Sequence, residues 1–186
     1  MPLKPRTPQK EMQDTVQNRD LFRTPIYATK LLIPYIPSNI LSIWECAAGD
    51  GHISIVLEKY GYMVTSTDIN NKWARVNFLD AKTAMGDCII TNPPYSIKKK
   101  FFQKCIELDI PFALLILSDY CQWNIDAVRK YGCEKIIPSK RIDYITPTYR
   151  TDTKSYFHSM WLTRYFNLGK SETFVELTAK DKEEIV

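Results

Sequence analysis

From residue 40 to residue 165, short apolar runs alternate with segments of helical periodicity, and this alternation limits the chain to an α/β sheet. Residues 40–46 and 62–67 read as strands. Between them, residues 52–60 carry Ile53, Val56, Leu57 and Tyr60 at helical spacing, closed by Gly61. Residues 88–91 form a third apolar run. A helix over 97–108 follows, with Ile97, Phe101, Cys105 and Leu108 on one face. Residues 111–117 are continuously apolar, as buried central strands are, and 124–131 form a short helix ended by Gly132. The stretch 70–85 has little period beyond an apolar piece at 76–79. Two closing strands, 134–137 extending toward 145 and 155–165, have no helix between them. The pattern predicts a mostly parallel, doubly wound sheet with one antiparallel strand near the C-terminus, at or near an edge.

Ahead of this region Thr24 and Pro25 form an N-cap and first-turn pair, followed by Leu31, Leu32, Tyr35 and Ile36 at helical spacing until Pro37. Residues 1–20 place Lys4, Arg6 and Lys10 among three prolines and read as a basic, disordered tail; residues 21–186 read as one domain. No apolar run approaches the roughly 20 residues of a membrane helix, and no signal-peptide pattern opens the chain, which points to the cytoplasm. Five cysteines without CxxC spacing and only two histidines predict buried thiols and no metal site. The net charge of +4 suits a polyanionic partner and equally an ordinary basic protein.

Two motifs carry chemistry. Residues 44–51 read Trp-Glu-Cys-Ala-Ala-Gly-Asp-Gly and join the first strand to the first helix of the alternating region. Gly49 and Gly51 let the backbone turn sharply and approach a ligand. Asp68 ends the next strand, about 20 residues on, where an acid accepts hydrogen bonds from ribose hydroxyls. The strict GxGxxG pattern is absent, because Ala47 takes its first glycine position. The second motif, Asn92-Pro93-Pro94-Tyr95, follows the 88–91 strand. Its prolines fix the backbone and carry no N–H, which leaves a carboxamide oxygen, a free carbonyl and an aromatic ring around a flat, amine-bearing group. Asp87 reads as a strand start.

Together these residues make the chain resemble the class I, S-adenosylmethionine-dependent N6-adenine DNA methyltransferases of small phage or bacterial type, over residues 22–166. The resemblance implies a Rossmann-like class I methyltransferase fold with S-adenosylmethionine as cofactor. It implies that Thr24 and Pro25 contact the cofactor's methionine end, that Glu45 through Gly51 (Ala47, Gly49 and Asp50 among them) form the cofactor loop with Glu45 near the amino group, and that Asp68, with Ile69 beside it, binds ribose. Where the family has Asp-Phe-Leu around the adenine, this chain has Asn77-Phe78-Leu79 with Asp80 behind. Either Asn77 or Asp80 can meet the adenine amine, and Phe78 either flanks the ring or belongs to the core.

The tetrapeptide implies methyl transfer to a planar nitrogen, with Asn92 and Pro93 as acceptors, Pro94 shaping the turn and Tyr95 stacking on the target. Adenine in RNA and the glutamine side-chain amide of a protein pose the same lone-pair problem, and a catalytically silent, cofactor- or nucleic-acid-binding subunit is a further reading. Lys98, Lys99 and Lys100 open the helix after the motif; cations are disfavoured at a helix N-terminus, so phosphates would relieve them, although a solvated face explains them equally. Lys140, Arg141 and residues 150–154 extend a basic rim, and Tyr120 and Trp123 either line a base pocket or pack in the core. With no separate target-recognition domain expected, recognition falls to the loops 70–72 and 141–154 or to a partner subunit. Nucleic acid, DNA first, is the expected partner, with no membrane and no metal.

Overall fold

The computed structural model describes residues 19–70, 73–145, 155 and 157–183. Most of the tail predicted over 1–20, residues 71–72 and the basic loop 146–154 lie outside these; Arg19–Leu21 forms a 3-10 turn. Among the described residues, eight strands build one sheet in the order β3-β2-β1-β4-β5-β7-β6-β8. The strands are β1 Ser42–Glu45, β2 Met63–Asp68, β3 Ala74–Arg75, β4 Cys88–Thr91, β5 Phe112–Leu117, β6 Glu134–Pro138, β7 Ser159–Arg164 and β8 Glu172–Val175. The α-helices among the described residues are α1 Ile26–Lys30, α2 His52–Lys59, α3 Lys98–Leu108 and α4 Gln122–Tyr131.

Neighbouring strands alternate side chains between two cores because successive residues of a strand face opposite sides. Ile43, Cys88, Ile90, Ala113 and Leu115 pack with Tyr27 and Ala28 of α1 and Ile53 and Leu57 of α2. Trp44, Ile89, Phe112, Leu114 and Ile116 face the other way, onto Phe101, Phe102 and Cys105 of α3 and Ala127 of α4. Each such leucine, isoleucine or phenylalanine contributes roughly 1.5–3 kcal/mol by leaving water. Trp44 Nε1 donates to Thr67 Oγ1 at 2.8 Å, so even the polar atom of this buried ring is paired, and the bond ties β1 to β2. Asp87 receives the N–H groups of Ser42 (2.8 Å) and Leu41 (3.2 Å) at the start of β4, far from the carboxyl ends of the strands.

The sheet is mostly parallel, as the alternation predicts, and β7 is the antiparallel strand. It lies between β5 and β6, and β6 with β8, which pairs with β6 in parallel, separates it from the sheet edge. Two expectations are corrected. Thr24 does not cap α1: Pro25 occupies that position, no side chain caps it, and the run to Pro37 breaks into α1 and a 3-10 turn at Ile33–Tyr35. Tyr60 lies outside the buried stripe of α2 and is exposed. The strand order reverses between β1 and β4, both of which pair in parallel, and the crevice beyond their carboxyl ends is where such sheets take ligands.

Candidate active site

A cavity of about 570 Å³ opens at that reversal. The ends of β1, β2 and β4 bring Glu45, Asp68 and Asn92 to it; these are distant in sequence and close only because their strands are neighbours. Of the expected site residues, Thr24, Glu45, Ala47, Gly49, Asp50, Asp68, Ile69, Asn77, Phe78, Asn92, Pro93, Pro94 and Tyr95 line it. Pro25 and Gly51 are not part of the lining; they immediately precede α1 and α2. Lys98, Lys99, Lys100, Lys140 and Arg141 are not part of the lining.

The glycine loop is held from several sides. Gly49 and Gly51 have φ of +52° and +83°, a region that costs other L-residues energy. Asp68 accepts the Gly49 N–H at 2.9 Å through Oδ2 and the Asn70 N–H at 2.8 Å through Oδ1. Trp73 Nε1 donates to the Gly49 carbonyl at 2.8 Å, and its ring covers Gly51 so closely that a Cβ there would lie 2.6 Å from Trp73 Cζ2. Arg23 pairs with Asp50 across the mouth, and His52 Nδ1 lies 3.2 Å from the Thr24 carbonyl oxygen.

Glu45 is buried at the base of this loop. The Ser54 N–H, one of the unpaired donors of the first turn of α2, reaches its Oε2 at 2.8 Å; Ser54 Oγ bonds the same oxygen and lies 2.6 Å from Ser66 Oγ. Burial pushes the Glu45 carboxyl up to about 8 in spite of these donors. Asn77 caps the 3-10 turn Phe78–Asp80 by accepting the Leu79 N–H at 3.2 Å, and its Nδ2 donates to Asp80 at 2.8 Å. The two candidates for the adenine amine are therefore bonded to each other. Phe78 combines both of its expected roles: it lines the cavity and packs edge-on to Trp44 at 5.2 Å.

On the opposite wall the Asn92 side-chain oxygen is buried and has no hydrogen-bond partner among the described residues. The Pro94 carbonyl accepts the Ile97 N–H at 3.1 Å, which turns the chain from the motif into α3. Lys98 folds back, its ammonium 5.5 Å from the centre of the Tyr95 ring and 3.5 Å from the Tyr95 carbonyl oxygen. Lys99 and Lys100 are exposed on the first turn of α3, and Arg141 donates to the Ser155 carbonyl at 3.3 Å. Trp123 packs on Phe102 and Tyr120 is exposed, so neither joins the cavity. Sequence reasoning missed Asp20, Arg23 and Trp73; their partners are 24 to 76 residues away, and no local pattern marks them.

Cys46, Cys88, Cys105 and Cys133 are buried free thiols and Cys121 is half-buried. Among the described residues no group of His, Cys, Asp and Glu could hold a metal ion, and no helix is long and apolar enough to cross a membrane.

No protein-family model matches this chain, and no curated protein does. Solved structures do. An inferred RNA methyltransferase from Pyrococcus horikoshii superposes with a TM-score of 0.56 at 14% identity, over 83% of this chain and 96% of its own. The methyltransferase subunit of a type I restriction-modification system from Streptococcus thermophilus gives 0.58 at 12% identity over 88% of this chain, which spans 52% of that subunit. The 1,6-didemethyltoxoflavin N1-methyltransferase of Burkholderia thailandensis, solved with S-adenosylhomocysteine bound, gives 0.50 at 11% identity over 88% of this chain and 92% of its own. The chain has the class I fold of S-adenosylmethionine-dependent methyltransferases.

Proposed function

We propose that this chain is an S-adenosylmethionine-dependent methyltransferase acting on the exocyclic N6 amine of adenine in DNA. The observation that carries the reading is the buried Asn92 oxygen, without a hydrogen-bond partner among the described residues, in an Asn-Pro-Pro-Tyr turn whose four residues line the cavity. Leaving such an acceptor unpaired costs roughly 1–3 kcal/mol, which an N–H of a substrate amine recovers.

The cavity volume of about 570 Å³ fits a nucleoside-sized cofactor. Asp68, whose oxygens already order Gly49 and Asn70, offers its remaining lone pairs to ribose hydroxyls. Glu45 faces the cofactor's ammonium, Ile69 and Phe78 supply apolar walls, and Thr24 with Arg23 closes the methionine end. S-adenosylmethionine, when bound, supplies a methyl group on a positively charged sulfur. The chain's own task is the nucleophile: Asn92 Oδ1 and the Pro93 carbonyl each take one N–H of the amine and draw the nitrogen toward a pyramidal geometry. This is positioning and electrostatic preorganisation, without a covalent intermediate. Tyr95 stacks on the base once it has left the duplex. Lys99 and Lys100, with Lys140 and Arg141, meet backbone phosphates.

The test is labelled-methyl transfer to DNA, RNA and protein, followed by nucleoside and amino-acid analysis. Label in N6-methyldeoxyadenosine is the expected result; label in RNA adenine or in protein glutamine moves the substrate while keeping the chemistry. No S-adenosylmethionine binding by calorimetry overturns the reading.

A further inference from the structure

Tyr95 is held from outside its own loop. Its hydroxyl lies 3.3 Å from Tyr144 Oη, and Tyr144 donates to Ser159 Oγ at 2.9 Å. A phenol has one proton to give. Tyr144 spends it on Ser159, so in the first contact Tyr95 donates and Tyr144 accepts. Tyr144 and Ser159 are both buried, and burial holds the Tyr144 phenol well above its ordinary value, so that this hydroxyl keeps its proton. Ser159 is the first residue of β7, the strand paired along its whole length with β5, which makes it a rigid anchor.

The short segment carrying Tyr144 is itself clamped to the cofactor side of the cavity. The Asp143 N–H donates to Tyr27 Oη at 2.7 Å, and Ile145 exchanges two backbone hydrogen bonds with Arg23, at 2.9 and 3.0 Å. Arg23 in turn pairs with Asp50 of the glycine loop. Residues 143–145 thus brace the wall that would hold the cofactor and the ring that would meet the substrate. Because the tyrosine hydroxyl lies on the axis about which the ring spins, the Tyr144 contact fixes where the Tyr95 ring points, its χ1, and leaves the spin free.

We propose that Tyr144 is a positioning residue: through the Tyr95 hydroxyl it fixes the direction of the substrate-facing ring relative to the cofactor wall. The inference rests on Tyr95 being the ring that stacks on the substrate. Tyr144 touches neither cofactor nor substrate, and its effect passes through Tyr95.

The experiment compares the full-length wild type with Tyr144→Phe, Tyr95→Phe and the double variant. One readout is kinetic. Each single variant is expected to lower kcat/KM for an adenine-containing oligonucleotide by about 5-fold, the worth of one modest hydrogen bond. The double variant should lose no more than either single one, with S-adenosylmethionine affinity kept within about twofold. Additive losses, or none, overturn the proposal. The second readout needs neither cofactor nor substrate: three-bond couplings about χ1 of Tyr95, measured by NMR, report one rotamer in the wild type and averaging in Tyr144→Phe. Unchanged couplings overturn the proposal. If the wild type transfers no methyl group, the proposed function falls, and the couplings alone then decide whether Tyr144 orients Tyr95. Should Tyr144→Phe fail to fold, Tyr95→Phe breaks the same contact from the cavity side and carries both readouts with the same expectations.

Discussion

Asp20 and Ser96 are joined by two hydrogen bonds, from the Ser96 N–H to Oδ1 at 3.1 Å and from Ser96 Oγ to Oδ2 at 2.5 Å. They fasten the turn Arg19–Leu21 to the residue that follows Asn-Pro-Pro-Tyr and complete the rim between the N-terminal wall and the β4 loop. Asp20→Ala is expected to weaken S-adenosylmethionine binding by about 3- to 10-fold, the range of one or two modest hydrogen bonds. The pair is exposed, so the unfolding temperature should move little. Calorimetry and a thermal scan on the same sample measure both; unchanged affinity would mean that the wall stands without this pair.

Glu45 gives a pH signature. Its folded-state value of about 8 exceeds the ordinary 4.5, so between those pH values the folded chain holds a proton that the unfolded chain has lost. Stability therefore falls as pH rises through that window. Glu45→Gln has no proton to lose. Urea titrations from pH 5 to 8.5 should show the wild type losing ground to the variant as pH rises, with the two converging in acid. Cofactor binding runs the other way, because an ammonium beside Glu45 favours the carboxylate. Calorimetry at pH 7 in two buffers of different ionisation heat should detect proton release in the wild type and none in Glu45→Gln.

Gly51 is constrained twice, by its φ of +83° and by the Trp73 ring. Gly51→Ala is expected to destabilise the fold by about 1–2 kcal/mol for the left-handed backbone alone, with the clash added. Introducing Trp73→Ala beside it should recover the clash and leave the backbone cost. Denaturant midpoints of the two single variants and the double variant separate the contributions; a fully additive result would place the ring elsewhere in solution.

The lysines of α3 should divide into two kinds. Lys99 and Lys100 are exposed, and each removed phosphate contact should reduce the slope of log affinity against log salt by about 0.9 for duplex DNA. Lys98 is engaged with Tyr95, so Lys98→Ala should leave that slope unchanged. Binding titrations from 50 to 200 mM salt, roughly the range over which such contacts show, test the division. Equal slopes for wild type and Lys99→Ala/Lys100→Ala would remove these lysines from the nucleic-acid surface.

The parallel strands were legible because β5 is apolar along its length and β4 is apolar up to Thr91, a pattern that buried strands favour. β8 was not, because its four residues alternate a buried Thr173 with a Phe174 that is 70% exposed, which reverses the usual cue. β3 has two residues and no period to read. Most of the cavity lining was legible because the glycine loop, Asp68 and the proline turn each announce a strand end. Arg23, Trp73 and Tyr144 were not, since their roles arise from pairs 27, 24 and 49 residues apart that only the folded sheet brings together. Lys98 shows the same limit: its charge was visible, while its turn back onto Tyr95 depends on the geometry of Pro94 and the start of α3.

The central claim is that the buried Asn92 oxygen accepts a substrate N–H. Asn92→Ala leaves the cofactor wall in place and removes that acceptor. Labelled-methyl transfer to adenine-containing DNA, measured beside S-adenosylmethionine affinity in the same preparation, should fall by about 100- to 1,000-fold while the affinity stays within a few-fold of wild type. Transfer by Asn92→Ala at the wild-type rate would contradict the account.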